Sequence, residues 1–168
     1  VRNIFRAVAT EHVRPERVLE QVDRVLHHLN EPGAPFVTCC YATLDLDSGE
    51  LRWALAGHPP PVVAHLAGTT ELCATAPGPP LGTLPESRYE PGSTTMAIGD
   101  LLVLYTDGLV ERRGELIDDG IARLAVQLRD RPGGLDSEAV AARLADLVPD
   151  PTDDIAILCL TRRGTADA

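Results

Sequence analysis

Apolar residues recur at Val18, Val22, Val25, Leu26 and Leu29, a helical spacing that predicts a helix opening near Pro15, a residue at home in a first helical turn. Ile4, Phe5, Val8 and Ala9 mark a shorter helical stripe ahead of it, and Asn30 with the Pro- and Gly-rich residues 31–35 stops the second helix. The period then changes. FVTCCYATLDL (36–46) is rich in β-branched and aromatic residues, DSG (47–49) signals a turn, and ELRWALAG (50–57) returns with Leu51, Trp53 and Leu55 on one face. Further strands are expected in PPVVAHLAG (60–68) and ELCAT (71–75), then a shaped loop in APGPPLGTLPE (76–86). STTMAI (93–98) and LLVLYT (101–106) flank Gly99-Asp100, which reads as a hairpin turn.

Helical spacing resumes after residue 116 with Ile121, Leu124, Ala125 and Leu128, ending before Pro132, Gly133 and Gly134. Asp136 or Ser137 is placed to cap a last helix carrying Val140, Leu144, Leu147 and Val148. IAILCL (155–160) is a short all-apolar strand, and residues 161–168 read as a tail. Helices, antiparallel strands, helices and one last strand make an α+β pattern, with one domain expected over 1–160.

Composition narrows the function. At 168 residues and 44% apolar the chain supports a sizeable core, filled by aliphatic side chains because aromatics make up only 4%. A formal charge of −10 argues against nucleic acid, which needs a basic surface. Cys39, Cys40, Cys73 and Cys159 lack Cys-x-x-Cys spacing, so zinc is poorly supported and small, buried thiols in a reducing cytoplasm are expected. No membrane-length apolar run or signal segment is present, so neither membrane insertion nor export is expected.

The candidate chemistry lies in carboxylates at strand ends. Asp107 follows an apolar run, and Asp153 and Asp154 precede another. If the two strands are neighbours, the carboxylates converge and repel unless a cation neutralises them. Gly108 removes a side chain beside Asp107, permitting close approach. All-oxygen donors favour a hard ion, Mg²⁺ or Mn²⁺. On motif physics alone the plainer alternative, a turn after a strand and a solvated or capping Asp-rich loop, is the commoner use of such residues. His58, in GHPPP, has a packing role as its favoured reading over proton donation.

AGHPPPVV (56–63), PPLGTLPE (79–86), IGDLLVLYTDGLVERR (98–113) and DDIAIL (153–158), in this order and spacing, resemble the stage II sporulation protein E-type serine/threonine phosphatase domain, a branch of the metal-dependent protein phosphatase 2C family. The resemblance implies an αββα sandwich of two antiparallel sheets flanked by helices, with two Mn²⁺ or Mg²⁺ ions. It gives metal-ligand and catalytic roles to Asp107 and Asp153, with Gly108 and Asp154 as secondary candidates. It further implies hydrolysis of phosphoserine or phosphothreonine by metal-activated water. The substrate would be a phosphorylated anti-anti-sigma-type protein in a partner-switching pathway. Two earlier acidic segments of the family have no counterpart, since the only Gly-Asp pair is Gly99-Asp100 and His58 precedes a proline. An N-terminally incomplete domain is therefore implied, with sheet edges exposed for homo-oligomerisation. The alternative is a catalytically incompetent module that binds a regulatory partner.

Overall fold

The structure, a computed structural model, describes residues 1–10, 13–29, 36–129, 136–148 and 153–164. The expected stops at 30–35 and 132–134, and the end of the tail at 165–168, lie outside the described residues. The chain divides into two compact units, 1–60 with 74–94 and 61–73 with 95–168.

In the first unit, helix α1 (Arg2–Val8) is followed by α2 (Pro15–Leu29). Buried residues of α2 include Val18, Leu19, Val22 and Leu26, so the stripe turns slightly from the expected one, and Leu29 is exposed. Strands β1 (Cys39–Leu44) and β2 (Glu50–Ala56) pair antiparallel, with Leu44 opposite Leu51 and Cys39 opposite Ala56. The β2 residues Ala54 and Ala56 pack with Val18, Leu19, Val22, Leu81 and Tyr89 into one core. Phe5 stacks on Tyr41 at 6.0 Å between ring centroids, fixing α1 to β1. The loop expected at 76–86 is held by its backbone, Val37 and Leu81 exchanging hydrogen bonds of 3.3 and 2.8 Å. Buried Asp23 accepts the Gly82 N–H at 2.7 Å.

The second unit holds strands β3 (Val62–Ala64), β4 (Thr70–Leu72), β6 (Leu101–Tyr105) and β7 (Ile157–Thr161) in the order β4-β3-β6-β7. Here the hairpin expectation is corrected. β5 (Gly92–Thr95) joins β1 and β2 in a three-stranded sheet, so the chain changes sheets at Gly99-Asp100 instead of folding back on itself. Asp100 explains the corner. Its buried carboxylate accepts the N–H groups of Ala97 and Leu66 and bonds His65 Nδ1, each at 2.9 Å, so side-chain bonds replace a hairpin ladder. Helices α3 (Ile117–Arg129) and α4 (Ser137–Ala145) contribute Ile121, Leu124, Leu128, Val140 and Leu144 to a core with Val62, Leu101, Val103 and Tyr105. Asp136 caps α4, accepting the Ala139 N–H at 2.7 Å. Two antiparallel sheets and four helices among the described residues make the α+β fold that the pattern predicts. Among the described residues no helix is long and apolar enough to cross a membrane.

Candidate metal centre

β6 and β7 pair antiparallel from Leu101 opposite Thr161 to Tyr105 opposite Ile157, so the end of one strand meets the start of the other. Asp107, two residues beyond β6, opens a 3-10 turn over Asp107–Leu109. Asp153 and Asp154 lie just before β7. The strand ends therefore deliver residues 46 positions apart in sequence to one end of one sheet, as the sequence reading requires.

Thr106 extends the ladder past its regular end. Its N–H donates to the Ala156 carbonyl at 3.0 Å, its hydroxyl donates to the Asp154 carbonyl at 2.9 Å, and that hydroxyl oxygen accepts the Ala156 N–H at 2.8 Å. Gly108 packs directly on the same segment, for a Cβ there would stand 2.7 Å from the Asp154 carbonyl oxygen and 2.9 Å from that of Asp153. Close approach, the reason for expecting a glycine at 108, is what the structure shows. Gly120 in the first turn of α3 packs still more closely on the Val110 carbonyl, seating the helix behind the turn.

One oxygen of each outer carboxylate is held by the next residue's amide: Asp107 Oδ1 accepts the Gly108 N–H at 3.0 Å, and Asp153 Oδ1 accepts the Asp154 N–H at 2.7 Å. Neither Asp107, Asp153 nor Asp154 forms an ion pair among the described residues. Carboxylates brought close together would repel unless a cation neutralised them, and all-oxygen donors suit a hard divalent one. The donor set fits such an ion in kind and is partial in number, since no three His, Cys, Asp or Glu side chains among the described residues are grouped to hold a metal. His58 donates from Nδ1 to its neighbour's carbonyl, Pro59 O, at 2.9 Å, in keeping with a packing role.

Pattern reading assigned no role to Thr106 or Gly120. Thr106 was visible as a hydroxyl where the apolar run of β6 stops, and Gly120 as a glycine inside a helical stripe, where it costs stability unless something needs the space.

The fold is α+β, and its paired β6 and β7 bring Asp107 and the Asp153-Asp154 segment to one end of a sheet. The chain belongs to the stage II sporulation protein E (SpoIIE) family, matched over residues 1–163. It is similar to the phosphoserine phosphatase RsbP of Bacillus subtilis, 29% identical over 111 residues, which cover 64% of this chain and 27% of RsbP. The RsbU and RsbW domains of Rv1364c from Mycobacterium tuberculosis superpose with a TM-score of 0.81 at 28% identity, over 99% of this chain and 48% of that one. RsbX, solved in complex with magnesium, shares the fold at a TM-score of 0.67 and 15% identity, over 94% of this chain and 68% of its own. The chain thus spans about a quarter of RsbP and about half of the Mycobacterium chain.

Proposed function

We propose that this chain serves metal-dependent hydrolysis of phosphoserine or phosphothreonine on a regulatory protein of the anti-anti-sigma type, with Asp107 and Asp153 as ligands of Mn²⁺ or Mg²⁺ and Gly108 and Asp154 shaping the site. The observation that carries the reading is the shared strand-end position of Asp107 and Asp153, reached through Thr106 and Gly108, without a basic partner. RsbP's activity on phosphoserine and RsbX's magnesium support it. Bound there, the ion would lower the pKa of a water and offset charge on the phosphoryl group. The chain's own part is positional. Thr106 locks the two strand ends together, and the amides of Gly108 and Asp154 each hold one carboxylate oxygen. An acidic protein of net charge −10 needs that cation to receive a phosphorylated partner.

The absence of a three-donor group among the described residues favours a second reading, in which the chain binds a phosphorylated regulatory partner without hydrolysing it. Phosphate release from a phosphoserine protein separates the two. Release that needs Mn²⁺ or Mg²⁺, stops with EDTA and is lost in Asp107→Asn supports hydrolysis. Saturable binding with no release supports the second reading, and release indifferent to EDTA contradicts the metal assignment.

A further inference from the structure

The geometry points to a carboxylate-binding subsite behind the turn that carries Asp107, formed by Arg112 and Arg123 and suited to an aspartate or glutamate side chain of a partner protein. A cavity of about 50 Å³ lies there. Leu109, which ends the Asp107–Leu109 turn, and Leu124 of α3 line it together with Leu147 and Val148, just beyond α4. Among the described residues around it both charged ones are arginines, in a chain whose net charge is −10. The Gln127 amide adds a neutral polar group. Apolar walls with a few converging polar groups are the make-up of a ligand site.

Neither guanidinium is saturated within the described residues. Arg112 is exposed and forms no ion pair there, and its Nη2 donates to the Leu147 carbonyl at a long 3.3 Å. Arg123 Nη1 donates to Glu115 at 2.9 Å, but its Nη2 is shut off from solvent with no hydrogen-bond partner among those residues. A charged donor without water or partner is costly, and an anion arriving beside it removes that cost. The walls and the volume select the anion. A phosphate seeks polar contacts on every side, whereas four apolar side chains suit the methylenes of a short aliphatic acid. One water needs roughly 10–15 Å³ of such space, so the cavity admits only a few heavy atoms. A carboxylate head with one or two methylenes fits, and the planar guanidinium fork matches its two oxygens. The choice of a side chain over a free acid rests on the function proposed above, in which the partner is a protein, and the binding itself does not. Leu109 and Asp107 share one turn, so the subsite reads an acidic residue on the same protein whose phosphoryl group meets the candidate metal centre.

Titration of the chain in EDTA at constant ionic strength, followed by amide NMR shifts, tests this without metal and without an activity assay. N-acetylglutamate N-methylamide, a glutamate side chain on a blocked backbone, should give saturable shifts at Leu109 and Gln127. The matching glutamine compound should not. Arg112→Gln should weaken the binding about tenfold or more, because a charge-assisted pair is lost. Gln127→Glu keeps the size, sets a competing carboxylate in the lining and should weaken it similarly. Absence of saturable shifts, or binding that both substitutions leave unchanged, overturns the proposal. So does inorganic phosphate binding as tightly as the glutamate compound, which marks a general anion site. Butyrate binding where the glutamate compound does not also overturns it, by making the ligand a free acid. Because EDTA removes the cation, failure here leaves the metal-dependent reading standing, and loss of that reading leaves this result unchanged.

Discussion

A Cβ built on Gly108 would stand 2.9 Å from the carbonyl oxygen of Asp153, so these two residues touch backbone to backbone. No rotamer change relieves such a contact. Gly108→Ala should force the Asp107–Leu109 turn away from the Asp153 segment and destabilise the protein by about 1–3 kcal/mol, read by chemical denaturation. Unchanged stability would mean that the approach is not tight.

Thr106 offers a subtler change. Its hydroxyl bridges the Asp154 carbonyl and the Ala156 N–H, across 48 and 50 residues of sequence. Thr106→Val keeps the shape and removes both bonds, at a cost of about 1–3 kcal/mol. Thr106→Ser should recover most of it. Equal loss in both variants would point to the methyl group instead.

The corner at Asp100 predicts a pH dependence. Burial alone would raise this carboxyl, but the Leu66 N–H, the His65 ring and the Ala97 N–H together outweigh it and hold the pKa below the ordinary 3.8. A carboxyl depressed in the folded state stabilises fully above its unfolded pKa, and the contribution is lost as pH falls through the lower folded value. Asp100→Asn cannot accept both amide protons through its NH₂ end and should cost about 2–4 kcal/mol at neutral pH. Stability measured from pH 7 downward should show the gap between wild type and variant closing below pH 3.8. A gap constant with pH would contradict the assignment.

Thiol reactivity follows from burial. Desolvation pushes the Cys73 thiol up to about 12, and Cys39 and Cys159 to about 11. Alkylation of these three at pH 8 should be much slower in the folded chain than in denaturant, because the thiolate is the nucleophile. Rapid labelling of Cys73 in the folded state would contradict its burial.

Much of this architecture is written in local pattern. The apolar run of β6, the stripe of α3 and the cap at Asp136 depend on neighbours within a few residues, and periodicity reports them. Other features depend on partners far along the chain. Asp23 is 1% exposed inside an otherwise apolar stripe because the Gly82 amide satisfies it, and helical spacing gives no sign of that bond. Leu29 continues the apolar period yet is exposed among the described residues at the end of α2. Gly99-Asp100 has the composition of a hairpin turn, but sheet membership decided whether the flanking strands pair, and two residues do not encode that. For the site, the types of Asp107, Gly108 and Asp153 were legible, whereas Thr106, which binds their segments together, was not.

The central claim is that Asp107 and Asp153 share a divalent cation, and Mn²⁺ titration followed by electron paramagnetic resonance tests it without an activity assay. Bound Mn²⁺ loses its sharp aqueous signal. The account predicts saturable binding that falls about tenfold or more in Asp107→Ala and also in Asp153→Ala, with little further loss in the double variant, because one site is already broken. Binding untouched by either substitution, or losses that add fully as from two separate sites, would contradict it.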